Sequence, residues 1–225
     1  MFLEYARVLS RRPCHADTRP QTLGPNGAEF TFNKRYDAPY IWTKKYMFFG
    51  HVEVVMKVAK GTGMISSAVL MSDDLDEVDY EFSGNNFAEG TGTAQTNYFG
   101  KGVIGDSSRG TYPAVADPTA DFHTWTFDWS PIALSWGVDG TNLRTMNAAD
   151  GQNFSGGQYQ YPQTPARLHL GLWDVSTWVS TDFKAFLGTE ILNSQAGDAD
   201  VAAGTVYWAG GYTGKRAACI ETLSS

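Results

Sequence analysis

The sequence predicts an all-β protein built as one antiparallel β-sandwich. Short segments rich in β-branched and aromatic residues recur along the chain, and clusters of Gly, Pro, Asn and Asp separate them. The chain has 225 residues, a length that single β-sandwich domains commonly reach. No internal repeat, heptad pattern or low-complexity linker divides it, so we expect a single core.

The first half of the chain contains five predicted strands. Residues 50–58 alternate between apolar and polar side chains, which is the pattern of a half-buried strand. An apolar run begins at Ile65 and leads into a segment where Val78, Tyr80 and Phe82 alternate with acidic residues. The strands expected here are residues 29–33, 50–58, 66–71, 77–82 and 94–99.

The second half contains five more predicted strands and one clear hairpin. The dipeptide Asp139-Gly140 lies between two β-rich segments, and Asp-Gly is a preferred pair for the tight turn of a β-hairpin. The strands expected here are residues 123–129, 132–138, 142–146, 167–172 and 205–209.

Composition and charge exclude several classes of protein. The chain is 42% hydrophobic and 14% aromatic with a formal charge of −7, which indicates a packed globule and disfavours a nucleic-acid partner. The sequence contains no stretch of 18 consecutive apolar residues, which is about the length that a membrane-spanning helix needs. Residues 1–7 lack the order of a signal peptide, and the C-terminal tail lacks a lipid-anchor signal. Cys14 and Cys219 are either free thiols or a disulfide.

Residues 76–81 contain the most informative pattern in the chain. Glu77, Asp79 and Glu81 are spaced two residues apart, so all three carboxylates lie on one face of a strand. Neighbouring carboxylates push each other's pKa values apart, and a retaining glycosidase needs one ionised and one protonated carboxyl group. A solvated acidic edge strand or a calcium site would also account for the spacing.

Several further motifs accompany the acids in one order, at residues 61–75, 95–102, 121–125 and 161–165. Together they closely resemble glycoside hydrolase family 16, and within it the fungal Crh-type cell-wall transglycosylases, which join chitin to β-glucan. The resemblance covers roughly residues 26–213 and implies a concanavalin-like jelly roll with a concave substrate cleft. No extra residue separates Asp79 from Glu81, which argues against the laminarinase branch of the family.

The resemblance also implies roles for individual residues. Glu77 would be the nucleophile, Asp79 the residue that orients it, and Glu81 the general acid/base. Sugar rings present apolar faces to aromatic side chains, while polar side chains bind the hydroxyls. The expected substrate-binding residues are Gln95, Asn97, Tyr98, His123, Trp125, His169, Trp173 and Thr205. Trp129 and Trp136 are expected to pack in the core. A core position is the alternative for Trp125 and Trp173, and an ordinary strand position without substrate contact is the alternative for His169 and Thr205.

The chain departs from the family pattern in three segments. Residues 1–25 and 214–225 are atypical, and no first strand is expected upstream of Asn26. Residues 175–195 interrupt the catalytic domain at 26–213, either as a retained intron translated in frame or as a loop insertion. The N- and C-terminal departures would leave sheet edges unpaired.

The expected function is that of a retaining glycosidase or transglycosylase acting on chitin and β-glucan. A plain hydrolase and a catalytically degenerate carbohydrate-binding form are the alternatives. We expect a monomer in the fungal cell wall, with a polysaccharide substrate and no cofactor. No metal site is evident in the sequence, although family 16 sandwiches can carry a structural calcium ion.

Overall fold

A computed structural model describes residues 6–8, 21–24, 27–32, 38–61, 64–84, 91–103, 109–153, 160–174 and 205–209. It confirms the predicted all-β class, since strands and one short 3-10 helix at Ala148–Asn153 make up the regular structure of these residues. The strands are β1 (Ala6–Val8), β2 (Gln21–Gly24), β3 (Gly27–Thr31), β4 (Tyr40–Thr43), β5 (Gly50–Lys57), β6 (Met64–Ser72), β7 (Glu77–Ser83), β8 (Thr91–Thr93), β9 (Gln95–Phe99), β10 (Ala114–Ala116), β11 (His123–Trp129), β12 (Ala133–Val138), β13 (Thr141–Asn147), β14 (Ala166–Asp174) and β15 (Thr205–Ala209).

Two antiparallel sheets form the sandwich. The first, here called the cleft sheet, has the order β1-β4-β14-β6-β7-β9, and the second, the back sheet, has the order β13-β12-β11-β5-β15-β3-β2. A two-stranded ribbon of β8 and β10 accompanies them. The apolar side chains of both sheets meet in one core, as the alternation of apolar and polar residues predicts.

Strand β7 shows how the sequence separates the two faces of the cleft sheet. Val78, Tyr80 and Phe82 point into the core and are buried, so the intervening acids face outward. The ring of Tyr80 packs against Phe127 of the back sheet, with ring centroids 5.0 Å apart.

Side-chain hydrogen bonds through the core connect the two sheets. The Tyr80 hydroxyl donates to the carbonyl of Gly137 at 2.8 Å, and the Trp136 indole N–H donates to the carbonyl of Asp79 at 3.0 Å. Arg144 of β13 donates to the carbonyl of Thr96 on β9 at 2.9 Å. Two of these bonds involve β7, so the strand that carries the acids is tied to the back sheet.

The Asp139-Gly140 hairpin forms as predicted. Both residues have positive φ, 49° and 80°, as a type I′ turn requires. The Asp139 carboxylate accepts a bond from the backbone N–H of Thr124 at 2.8 Å and contacts His123 Nδ1 at 2.6 Å. Burial alone would raise the pKa of Asp139, but these two hydrogen bonds outweigh it and hold the pKa below its ordinary value.

The N-terminal segment differs from expectation. We expected no strand upstream of Asn26, yet β1 pairs with β4 and β2 pairs with β3, one at an edge of each sheet. The local sequence of these short strands carries little signal, because edge strands form where a partner backbone offers unpaired groups. Residues 175–195 and 214–225 lie outside the described residues. No helix in the described part of the chain is long and apolar enough to cross a membrane.

Candidate active site

The strand register arranges the acids in rows across the outer face of the cleft sheet. Residues directly opposed on neighbouring strands share a face and lie side by side. The rows that cross β6, β7 and β9 are Ser67-Glu81-Gln95, Val69-Asp79-Asn97 and Met71-Glu77-Phe99. Asp79 therefore lies between the two glutamates along β7.

The same rows continue over β14 and β4. Ser67 is followed by Gly171 and Tyr40, while Val69 is followed by His169 and Trp42. A cavity of about 550 Å³ opens over part of this surface, and both glutamates line it. Its lining residues are Ala38, Pro39, Tyr40, Ser67, Glu77, Glu81, His169, Leu170, Gly171, Leu172 and Trp173. The two glutamate side chains thus face one space.

Small residues form the floor of this cavity. A Cβ atom added to Gly171 would lie 3.2 Å from the Cβ of Tyr40 and 3.5 Å from the Ser67 hydroxyl. A larger side chain at this position would fill the space between Tyr40 and Ser67, in the row that leads to Glu81. The glycine therefore keeps the floor deep beside one of the two glutamates.

The environments of the three acids separate their protonation states. Burial raises the pKa of Glu81 to about 7, and the charge of Glu77 adds to the rise. Burial, and the charges of both glutamates, raise the pKa of Asp79 well above its ordinary value. Burial also raises the pKa of Glu77, but a hydrogen bond with Asp79 opposes that rise. The hydrogen bond between Asp79 and Glu77 raises the pKa of Asp79 and lowers that of Glu77, so Asp79 is the donor in this pair, while Glu81 is poised to release or take up a proton near neutral pH.

This charge distribution does not suit a cation. Asp79 is buried and its pKa is raised, which disfavours its ionised form, and no group of three or more His, Cys, Asp or Glu side chains in the described ranges could hold a metal ion. Divalent cations bind deprotonated carboxylates. The arrangement instead pairs Glu77 with a buried hydrogen-bonding neighbour, Asp79, and places Glu81, with its raised pKa, beside the same cavity.

The structure brings four of the predicted substrate-binding residues to the cleft. Gln95 and Asn97 lie beside Glu81 and Asp79 on the outer face of the cleft sheet. His169 and Trp173 line the cavity. Thr205 begins β15 in the back sheet, opposite Thr31, and its side chain lies outside the described part of the structure.

Three predicted substrate contacts are wrong. Tyr98 faces the core, because it alternates with Asn97 on β9 and its ring lies 5.5 Å from the Arg144 guanidinium. Trp125 is fully buried on β11 and packs against Phe82 between the sheets. His123 lies on β11 of the back sheet beside Asp139, not near Glu81. Residue type alone does not reveal which face of a strand an aromatic side chain occupies.

Two aromatic residues of β4 are additional cleft residues that the sequence analysis missed. The Tyr40 and Trp42 rings stack with centroids 5.1 Å apart, and Trp42 stacks on His169 at 5.7 Å. Ile41, which lies between them, and Thr43, which follows Trp42, are buried, so β4 has the period-two pattern of a half-buried strand. That alternation was a usable signal for both residues.

Asp76 fixes the start of β7 without facing the cleft. Its buried carboxylate accepts bonds from the backbone N–H groups of Lys101 at 2.9 Å and Gln163 at 2.8 Å, and from the Thr164 hydroxyl at 2.5 Å. These contacts join two loops to the residue that precedes Glu77. Asp76 therefore holds the start of β7, and with it Glu77, in place.

We expect Asp76→Asn to lower the free energy of unfolding by about 1–3 kcal/mol, because an amide nitrogen would face N–H donors and leave buried groups unpaired. Asp74→Asn is the matched control, since the Asp74 side chain is 65% exposed and a surface change of this kind has an effect within about 0.5 kcal/mol. Urea unfolding of both variants measures the difference. Equal losses in the two variants would contradict the anchoring role of Asp76.

Most of the chain matches one known protein family. The family model described as glycosyl hydrolases family 16 matches residues 12–185. This range contains all three acids and reaches upstream of Asn26, into the segment where β2 lies.

Fungal proteins are among the similar relatives. Crh-like protein 1 of Aspergillus fumigatus is 44% identical over 195 residues, which cover 85% of this chain and 46% of the relative. Crh-like protein 5 of the same organism is 46% identical over 191 residues, which cover 85% of this chain and 41% of the relative. The chain spans less than half the length of these curated relatives.

Solved structures give the same fold. The Crh5 transglycosylase in complex with NAG superposes with a TM-score of 0.70 at 40% identity, covering 91% of this chain and 76% of that chain. A Bacillus licheniformis beta-glucanase superposes with a TM-score of 0.63, covering 91% of this chain and 89% of the other. At 21% identity, the second likeness concerns the fold alone.

Proposed function

We propose that this chain, which belongs to glycosyl hydrolase family 16, is a retaining transglycosylase that transfers chitin chains to β-glucan in the fungal cell wall. The observation that carries the proposal is the pairing of two glutamates across one cavity. Glu81 has a pKa of about 7, while Glu77 accepts a hydrogen bond from the buried Asp79. Retaining glycosidases need this division between a protonated and an ionised carboxyl group.

The first step breaks the glycosidic bond of the donor. The Glu77 carboxylate attacks the anomeric carbon, and the bond to the leaving oxygen breaks as Glu81 transfers its proton to that oxygen. A covalent glycosyl ester on Glu77 results, and Glu81 is left ionised. The hydrogen bond from Asp79 keeps Glu77 ionised and oriented before the attack.

The second step decides the product. Glu81 takes a proton from an incoming hydroxyl, whose oxygen bonds to the anomeric carbon as the ester to Glu77 breaks. A sugar hydroxyl gives transfer, and water gives hydrolysis. Glu81 regains its proton and the enzyme returns to its starting state, so no cofactor is consumed.

The cavity supports a polysaccharide donor. Tyr40, His169 and Trp173 line it with aromatic rings, which suit the apolar faces of pyranose rings. The small floor at Ser67 and Gly171 leaves depth for a substituted sugar. Support for a hexosamine donor comes from the related Crh5 transglycosylase, whose structure contains NAG. Support for a wall location comes from the resemblance of this sequence to Crh-type cell-wall transglycosylases, and two relatives of Aspergillus fumigatus have the Crh-like name.

The test is product analysis of the purified chain with a chitin oligosaccharide as donor and a fluorescent β-glucan oligosaccharide as acceptor. We expect labelled products longer than the acceptor. Shortened donor with no labelled product would identify a plain hydrolase. A soluble, cooperatively folded chain that leaves the donor intact would contradict the proposed enzyme.

A further inference from the structure

Tyr112 is an exposed aromatic residue held rigidly beside the cleft. Its neighbour Thr111 bridges to Thr96 through two backbone hydrogen bonds of 2.9 Å each and a hydroxyl contact of 2.8 Å. On the other side, Pro113 accepts a bond from the backbone N–H of Ala94 at 3.1 Å. The Tyr112 side chain is nevertheless 48% exposed. A fixed backbone and an open ring are the properties of a binding platform.

A short chain of contacts joins Tyr112 to Glu81. Gln95 lies directly opposite Glu81 in the register of β7 and β9, and its amide nitrogen is 3.4 Å from the Tyr112 hydroxyl. Burial raises the pKa of Tyr112, and the charge of Glu81 adds to the rise although the contact with Gln95 opposes it. The phenol is therefore close enough to the acid/base to respond to its charge.

The amide of Gln95 is incompletely satisfied. The residue is only 9% exposed, and its Oε1 has no hydrogen-bond partner among the described residues. Buried polar atoms without partners are uncommon and costly. An arriving hydroxyl group, donating to this oxygen after a small rotation of the amide, would complete its hydrogen bonding beside Glu81.

The position of Tyr112 relative to the cavity indicates which substrate it meets. Strands β6, β14, β4 and β1 extend from β7 on one side, and the cavity lies over that side. Tyr112 and Gln95 lie on the opposite side, at the β9 edge. In the proposed reaction we place the sugar bonded to Glu77 in the cavity and the second substrate on the β9 side of Glu81, where Gln95 and Tyr112 lie.

We infer that Tyr112 and Gln95 form the acceptor site, in which the Tyr112 ring carries the incoming pyranose and thereby selects a sugar hydroxyl over water. This inference rests on the proposed function and names the part of the site that determines transfer. The acceptor oxygen bonds to the anomeric carbon while the ester to Glu77 breaks, and the acceptor proton passes to Glu81. Gln95, held by Tyr112, orients the acceptor hydroxyl toward Glu81.

The first test measures binding and does not depend on turnover. A β-1,3-linked gluco-oligosaccharide is titrated into the wild type, Tyr112→Ala and the control Phe122→Ala, whose side chain is an exposed aromatic next to β11 of the back sheet. We expect the Kd of the glucan to rise about tenfold relative to the Kd of a chitin oligosaccharide in Tyr112→Ala. The ratio of the two Kd values stays at the wild-type level in Phe122→Ala. An unchanged ratio in Tyr112→Ala overturns the inference.

The second test measures partitioning between transfer and hydrolysis. In Tyr112→Ala we expect the ratio of labelled transfer product to hydrolysed donor to fall about tenfold, whereas Tyr112→Phe, which keeps the ring, loses less than about threefold. A wild-type ratio in Tyr112→Ala overturns the acceptor site while leaving the proposed enzyme intact. A wild type that consumes no donor overturns the proposed function, and the glucan titration then decides on Tyr112 independently.

Discussion

The Glu77→Gln variant is expected to lose both transfer and hydrolysis by at least about 10⁴-fold, the scale on which removal of a nucleophile acts in covalent catalysis. The amide has nearly the shape of the carboxylate, but it cannot form the glycosyl ester. It also replaces the acceptor of the hydrogen bond from Asp79 with a neutral group. Product analysis with a chitin oligosaccharide and a labelled glucan, in the linear range of the assay, measures the loss.

Glu53→Gln is the matched control for this experiment. Glu53 lies on β5 of the back sheet, away from the cavity, and contacts His51 at 3.3 Å. Its variant should retain activity within about twofold, since it removes a surface charge without touching the site. Substantial residual activity in Glu77→Gln would assign the nucleophile to another residue.

The Glu81→Gln variant is expected to lose activity by about 10²–10⁴-fold, the usual contribution of a general acid/base. In the wild type, the rate of donor cleavage falls as pH rises through about 7, because Glu81 then loses the proton that the leaving oxygen needs. The variant has no such group and should lose this alkaline limb. A pH–rate profile of the residual activity checks both statements, and an alkaline limb that persists in the variant would assign the acid to another residue.

The Glu81→Gln variant should also be more stable than the wild type at pH values above about 7. The pKa of Glu81 is raised in the folded state, from 4.5 to about 7, so the folded protein holds the proton more tightly than the unfolded chain. The tighter binding of this proton contributes fully to the free energy of unfolding below pH 4.5, and the contribution is lost as pH rises to about 7. This change in pKa corresponds to a loss of about 3 kcal/mol. Glu81→Gln should therefore unfold like the wild type at pH 4 and at higher urea than the wild type at pH 8, and the opposite order at pH 8 would contradict the raised pKa.

Much of the fold follows from local sequence. All ten strands expected from alternation and turn residues are present, and the limits of His123–Trp129 and Thr205–Ala209 match the prediction. Alternation was reliable because one face of each strand is buried, which fixes the register. The prediction that Glu77, Asp79 and Glu81 share one face was also correct, because residues spaced two apart in a strand always point to the same side of the sheet.

The remaining site residues depend on contacts between distant segments. Tyr112 reaches the cleft because Thr111 pairs with Thr96, and no local pattern encodes that bridge. The predicted substrate contacts of Trp125 and Tyr98 were wrong, because an aromatic side chain can lie either in the core or on a sugar-binding face. The sequence alone indicates that Tyr98 and Asn97 point to opposite faces of one strand. It does not indicate which strands pair with β11, and the position of Trp125 depends on that pairing.

The bonds that cross the core have a thermal consequence. Because Trp136 and Tyr80 connect the backbone of β7 to β12, the catalytic strand cannot loosen while the back sheet stays intact. Regions linked in this way open as one cooperative unit. Heat inactivation and global melting should therefore coincide, and a substitution at Trp136, which lies buried in the core, should make the proposed activity temperature-sensitive although the residue does not face the cleft.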